Sequence, residues 1–248
     1  MRELITTVRK AGVEILKIYA KEDFGVELKA DQSPITLADK AANKVIIEEL
    51  KILYSEIPIL SEESKILPYD ERKKWDQCFI VDPIDGTKEF IKRNGEFTVN
   101  IGLWKAGRMV EGIIYAPAKD LLYFTDKGSS FRVKEGVETK LPCEETETFT
   151  MVASNSHLNE ATLDHLESLK SKYGTVEIKR VGSSLKMCMI ADGSADYYPR
   201  LGPTSEWDTA AAQAILEASG AKILKWGTKE ALEYNKENVL NPHFFASR

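Results

Sequence analysis

Cysteine is scarce, and the three present, Cys78, Cys143 and Cys188, stand far apart. Their spacing excludes a zinc finger and a Cys-x-x-Cys redox pair. It fits a reduced, cytoplasmic setting in which all three are small buried or half-buried residues. Long apolar runs are missing from the N-terminus. There, MRELITTVRKAGVEILKIYAKEDFG alternates charged and apolar residues at helical spacing, which excludes both a secretory signal and a membrane span. An excess of basic charge is missing as well. The formal net charge of −5 argues against a nucleic-acid-binding surface. No internal repeat or low-complexity tract is evident.

What is present is enough for a compact globular chain. A chain of 248 residues, 43% apolar, can bury a substantial core as one large domain or two modest ones. Leu4, Val8, Ala11 and Ile15 form one helical stripe, and Ala38, Ala41, Val45, Ile46, Leu50 and Leu53 a second. Segments 97–104, 109–115, 121–125 and 130–134 are short, rich in β-formers and separated by turn residues, the pattern of an antiparallel meander. Beyond a polar stretch at 142–149 the rhythm alternates. Strands are expected at 150–154, 176–181, 195–198 and 222–225, and helices at 159–172, 184–192 and 208–219, with Gly220 at a C-terminal cap. We read an N-terminal subdomain over 1–140 and a C-terminal one over 141–248, forming one unit with a cleft between them.

The most informative segment is Val81-Asp82-Pro83-Ile84-Asp85-Gly86-Thr87, which follows the apolar run Cys78-Phe79-Ile80-Val81. Pro83 fixes its own φ. A rigid turn of this kind can offer two carboxylates and the Ile84 carbonyl to one or two Mg²⁺ ions, which take hard oxygen ligands. The competing interpretation is an ordinary surface turn, since Asp-Pro and Asp-Gly are common turn dipeptides. Three further acidic positions stand in comparable places. Ile57-Pro58-Ile59-Leu60 empties into Ser61-Glu62-Glu63, Trp207-Asp208-Thr209 opens an alanine-rich helix, and Asp39 starts the second helical pattern. Each has its own structural explanation: solvated charges at Glu62 and Glu63, a plain cap at Asp208, half of a Thr-x-x-Asp capping pair at Asp39. Their coincidence beside DPIDGT points to a site.

SPITLAD, the SEE after an apolar strand, DPIDGT and WDTAA resemble the signature segments of the lithium-sensitive, magnesium-dependent inositol monophosphatase superfamily. GTKEFIKRNGEFTVNI at 86–101, GSSLK at 182–186, YPRLGPT at 198–204 and LNP at 240–242 resemble its bacterial 3′(2′),5′-bisphosphate nucleotidases of the CysQ type. The resemblance runs from about Ser33 to Pro242. It implies a layered α/β/α/β/α fold with the active site between two subdomains, and two or three Mg²⁺ ions per site. By the same resemblance, Glu62, Asp82 and the Ile84 carbonyl hold the first metal, and Asp82, Asp85 and Asp208 the second. Asp39 and Thr87 correspond to a base and hydroxyl acting on water, and Gly86 and Thr87 present backbone N–H groups to phosphate. The alternative for Thr87 is an N-cap hydroxyl with no chemical role.

Substrate selection is expected from the second subdomain. Gly182-Ser183-Ser184-Leu185-Lys186 reads as a strand-to-helix turn whose N–H groups, hydroxyls and ammonium could receive a second phosphate. Its alternative is a Ser N-cap beside a solvated lysine. Arg200 could add a bidentate phosphate contact or form a simple salt bridge. His157 resembles a family position near the nucleotide. Lys88, Arg93 and Glu96 form either a mobile cover or a solvated face. The resemblance therefore implies a hydrolase converting adenosine 3′,5′-bisphosphate to AMP and phosphate in sulfur assimilation, with 3′-phosphoadenylyl sulfate as a further substrate. Rival readings are an inositol or fructose phosphate phosphatase and, outside enzymes, a nucleotide sensor. Monomer or homodimer, and a loose association with the inner membrane, are left open by the residues.

Overall fold

The computed structural model describes residues 1–29, 32–154 and 160–248. Helix α1 (Ile5–Tyr19) buries Val8, Ala11 and Ile15 against α2 (Leu37–Leu53), which answers with Ala38, Ala42, Ile46 and Leu50. Of the expected second stripe, Ala41 and Val45 pack at the margin of this cluster and Leu53 is exposed. A two-stranded ribbon of β1 (Glu27–Leu28) and β2 (Pro34–Ile35) lies between the helices in sequence.

The first sheet begins with β3 (Ile59–Ser61), paired in parallel to β4 (Gln77–Asp85), with the short α3 (Tyr69–Arg72) in the connection. After the five-residue α4 (Thr87–Ile91), β5 (Thr98–Lys105), β6 (Arg108–Ala116), β7 (Leu121–Asp126) and β8 (Ser129–Lys134) form the expected meander. An additional strand, β9 (Val137–Lys140), closes a seven-stranded sheet in sequence order.

The second sheet comprises β10 (Thr150–Ala153), β11 (Glu177–Arg180), β12 (Tyr197–Arg200), β13 (Lys222–Lys225) and β14 (Phe244–Ser247), in the order β11-β10-β12-β14-β13. Its helices are α5 (Glu160–Tyr173), α6 (Leu185–Asp192) and α7 (Glu206–Ala218). Strand β12 lies two residues beyond its expected position. Strand β14 was not expected at all, although it pairs antiparallel with both β12 and β13.

These elements stack as α/β/α/β/α. The α1–α2 pair covers one face of the first sheet, α6 and α7 fill the space between the sheets, and α5 covers the far face of the second. The fold is thus the layered one the resemblance implies. The composition of α7 explains the middle layer. Gly102 and Gly112 pair across β5 and β6, and a Cβ on Gly112 would lie 2.2 Å from the Ala211 carbonyl oxygen. Two adjacent glycines therefore make a groove into which a helix of small residues sinks to backbone contact. That seating carries the N-terminus of α7, and with it Asp208, toward the first sheet. Gly220 follows the helix at φ +86°, as a C-terminal cap requires. The cysteines are unpaired, with Cys78 and Cys188 buried and Cys143 half-buried. Among the described residues, no helix is long and apolar enough to cross a membrane.

Candidate active site

The carboxylates converge because the strand that carries two of them is bulged. Asp82 pairs with Asn100 and Asp85 with Thr98, so three steps on β4 oppose two on β5. In a regular strand, residues three apart point to opposite faces; the extra residue returns Asp85 to the side of Asp82. Pro83 suits this position because it has no N–H to leave unpaired in the interrupted ladder. The Ile84 N–H donates to Asp82 Oδ1 at 3.0 Å, which fixes the turn. Gly86 then reverses the chain at φ +94°, a conformation that favours glycine, and a Cβ there would press the Glu96 carbonyl at 3.1 Å.

Two helix starts and one strand end supply the remaining groups. Thr36 and Asp39 form a capping box on α2: Asp39 Oδ2 accepts from the Thr36 N–H at 2.7 Å and from its hydroxyl at 2.6 Å. The other oxygen, Oδ1, accepts from the Thr87 hydroxyl at 3.1 Å. Asp39 is therefore both the structural cap and a partner of Thr87. On α7, Ser205 and Asp208 repeat the device, with the Ser205 N–H donating to Asp208 Oδ2 at 2.7 Å. Ser205, not Asp208, is the N-cap, so the helix starts two residues earlier than expected. Carboxylate oxygens of Asp82, Asp85 and Asp208 lie within 4.8 Å of one another. Glu62 follows the end of β3, where its N–H donates to the Val81 carbonyl, and stands beside Asp82. Lys29 joins Glu62 Oε1 at 2.6 Å and also bonds Glu63.

This donor set fits a hard divalent cation. Asp82 is 1% exposed, and its Oδ2 is a buried oxygen with no hydrogen-bond partner. Burial drives Asp82 well above the usual carboxylate range, and the charges of Glu62, Asp85 and Asp208 push it further. Burial likewise raises Asp85, Glu62 and Asp39, and lifts Asp208 to about 8 with Asp85 adding to the effect. Metal-free protein is therefore expected to lose stability as pH rises. The unfolded carboxylates ionise near 4, whereas the folded ones retain protons to higher pH, so between about pH 5 and about pH 8 the folded state binds more protons and each step upward costs stability. Thermal melts in chelator should fall across this range, and added Mg²⁺ should raise the melting temperature more at pH 8 than at pH 6. A chelated protein that melted higher at pH 8 would contradict the clustering of buried charge.

The same cleft also carries cations. Lys186 is 6% exposed, and its ammonium donates to the Ser183 carbonyl at 2.6 Å while facing the Tyr198 ring at 5.5 Å. Burial lowers it to about 8, against the pull of Asp85. A solvated lysine is thereby ruled out. Arg200 bonds the Pro203 carbonyl at 2.9 Å and leaves Nε buried without a partner; it makes no salt bridge among the described residues. Both cations line one cavity with Asp85, Gly86, Ser183 and Asp208. Ser183 holds a left-handed φ of +48°, and the Ser184 hydroxyl makes no cap bond; it bonds Thr98 and Asn100 at 2.8 and 3.0 Å. With Gly182 N–H donating to Glu96 at 2.8 Å, these bonds stitch the GSSLK turn to the first sheet.

Neither reading of the loop after DPIDGT holds throughout. Lys88 is exposed at the cavity, but Arg93 is pinned to the carbonyls of Tyr19 and Lys21 and stacks 4.5 Å from the Phe24 ring, and Glu96 holds Gly182. Thr87 follows Gly86, the N-cap of α4, so its hydroxyl serves Asp39 and not the cap. His157 lies outside the described residues. Asp82 meets the cavity-lining Asp85 and Asp208 in the carboxylate cluster, whereas Asp39, Glu62, Ile84 and Thr87 do not themselves line the cavity. The sequence reading passed over Lys29 and Glu89, because an isolated charge in a polar segment carries no local sign of burial.

A family model for the inositol monophosphatase family matches residues 1–246. The chain is 41% identical over 246 residues to the 3′(2′),5′-bisphosphate nucleotidase CysQ of Salmonella typhimurium, covering 98% of each. The crystal structure of CysQ from Bacteroides thetaiotaomicron superposes with a TM-score of 0.88 at 43% identity, covering 98% of this chain and 94% of that one. An inositol monophosphatase structure from Thermotoga maritima shares the fold at TM-score 0.78 and 22% identity, over 100% of this chain and 92% of its own. On fold, family match and near-full-length identity together, the chain belongs to the inositol monophosphatase family.

Proposed function

We propose that the chain is a Mg²⁺-dependent phosphatase that removes the 3′-phosphate from adenosine 3′,5′-bisphosphate, giving AMP and phosphate. One observation carries this reading: a single cavity is lined both by the carboxylates Asp85 and Asp208 and by two cations, the buried Lys186 and the half-buried Arg200. A substrate with two phosphates can use both the metal-binding carboxylates and the cations, whereas a small monophosphate leaves the cations without a phosphate partner. The names of the CysQ relatives support the same substrate class.

Glu62, Asp82 and the Ile84 carbonyl would hold one Mg²⁺, and Asp82, Asp85 and Asp208 another, with Asp82 shared. Such ions supply charge stabilisation to phosphate oxygens and to the attacking water. The chain's own part is positioning and proton transfer. Because the Thr87 hydroxyl gives its hydrogen to Asp39 at 3.1 Å, its oxygen is free to accept from a water. The water's proton passes through Thr87 to Asp39 as its oxygen bonds phosphorus and the ester P–O bond breaks, and the departing ribose oxygen takes up a proton from solvent water. Gly86 and Thr87 N–H groups would face the phosphate being cleaved, while Ser183, Lys186 and Arg200 receive the other; the Ser184 hydroxyl, expected at the substrate, is instead fully buried against Thr98 and Asn100 and holds the turn.

The test is phosphate release in Mg²⁺ from adenosine 3′,5′-bisphosphate, its 2′ isomer, inositol 1-phosphate and fructose 1,6-bisphosphate. Comparable rates on inositol 1-phosphate and the nucleotide would overturn the reading. A charge-assisted phosphate contact is worth about 1.5–3 kcal/mol, or roughly ten- to hundredfold. Lys186→Ala is therefore expected to lower kcat/KM for the bisphosphate nucleotide by that factor, and for a monophosphate substrate much less. Equal losses on both would reduce Lys186 to a structural or general electrostatic role.

A further inference from the structure

Asn100 stands directly opposite Asp82 across the β4–β5 ladder. Residues paired in this way in an antiparallel sheet point to the same face, with Cβ atoms about 4.5–5.5 Å apart. That face is the one α7 covers. Gly102, two residues along β5, would bring a Cβ within 2.9 Å of the Ala211 nitrogen. Asn100 and Asp82 are each 1% exposed. Oδ1 of Asn100 accepts from the Ser184 hydroxyl at 3.0 Å, and the same hydroxyl bonds Thr98 at 2.8 Å. The Ser184 N–H, in turn, donates to Asp85.

One group on each side of the ladder is left over. Asn100 Nδ2 is a buried donor with no hydrogen-bond partner, and Asp82 Oδ2 is a buried acceptor with none. Solvent in the cleft reaches neither atom. Packing does not account for an amide at this position, since an apolar side chain of similar size would leave nothing unpaired and the Ser184 hydroxyl would keep Thr98. Charge fixes which end of the amide is left over. The reversed amide would present a carbonyl oxygen to the side of the ladder that carries Asp82.

We propose that Asn100 is a positioning residue of the metal site: its Nδ2 donates to the Asp82 carboxylate when that carboxylate holds metal, while Ser184 fixes the amide through Oδ1. This rests on the reading of Asp82 as a metal ligand. A carboxylate that is itself hydrogen-bonded is restrained in orientation and holds its metal more tightly.

The test is isothermal titration of the metal-free protein with Mn²⁺ in the wild type, Asn100→Leu, Asn100→Ala and Ser184→Ala. Both Asn100 variants are expected to lose about ten- to hundredfold in Mn²⁺ affinity. Ser184→Ala removes the bond to Oδ1 and keeps Nδ2, so its loss should be clearly smaller. Thermal melts in chelator show which variants fold, and Ala, smaller than Asn, keeps the comparison if Leu does not fit. Wild-type affinity in a folded Asn100 variant overturns the inference and leaves Asn100 a packing residue. A loss as large in Ser184→Ala also overturns it, because the effect then runs through the turn. The readout is metal binding, so a wrong assignment of the nucleotide substrate cannot imitate either result. A wild type that binds no Mn²⁺ overturns the metal site, and the inference with it.

Discussion

Asp82→Asn is expected to cut phosphate release by about a hundredfold or more while making the metal-free protein more stable. The two effects have one origin. Asp82 lies buried beside Glu62, Asp85 and Asp208, with Oδ2 unpartnered and its carboxyl held well above the usual range. A neutral amide of the same shape removes the repulsion, so the melting temperature in chelator at pH 8 should rise by a few degrees, as about 1 kcal/mol does in a protein of this size. The same change removes the carboxylate proposed to be shared by both ions, whose charge stabilisation is worth several kcal/mol. Excess Mg²⁺ should restore little activity. Near-normal turnover at saturating Mg²⁺ would remove the bridging role, and a lower melting temperature in chelator would remove the account of the apo site. Because stability and rate are expected to move in opposite directions, misfolding cannot imitate the result.

Asp39→Asn is expected to act on the chemical step. One oxygen caps α2 and the other receives the Thr87 hydroxyl, so an amide satisfies one duty and presents N–H groups to the other. Loss of general-base function costs about 10²–10⁴-fold in kcat. Weakening the cap costs about 1 kcal/mol of stability, which a urea melt would register. Mn²⁺ affinity by isothermal titration should stay close to wild type. A large loss of affinity would show that Asp39 is a metal ligand. An unchanged kcat with the same loss of stability would leave it as a cap alone.

Local sequence carried a good deal of this architecture. The stripe of α1, the meander, and the alternation of strand and helix after residue 150 were legible because each depends on the spacing of apolar residues within one element. DPIDGT was legible because turn chemistry is local: a proline, a glycine at positive φ and two carboxylates in six residues. Strand β14 was not legible. Four residues long, it gains its place only by pairing with β12 and β13, whose sequences lie about twenty to fifty residues away.

Which residue types a site could draw on, and which elements carry them, follows from local sequence alone. Which of them meet, and in what state, follows from long-range packing. The β4 bulge put Asp82 and Asp85 on one side, the Gly102–Gly112 groove brought Asp208 to them, and the stitching of Gly182 and Ser184 to the first sheet buried Lys186. An acidic or basic residue has the same local pattern whether it is solvated or buried; its burial is set by partners distant in sequence. That Asp39 fills both of its expected roles at once, capping α2 with one oxygen and meeting Thr87 with the other, and that the Glu89 side chain lies in the cleft, was therefore settled by packing.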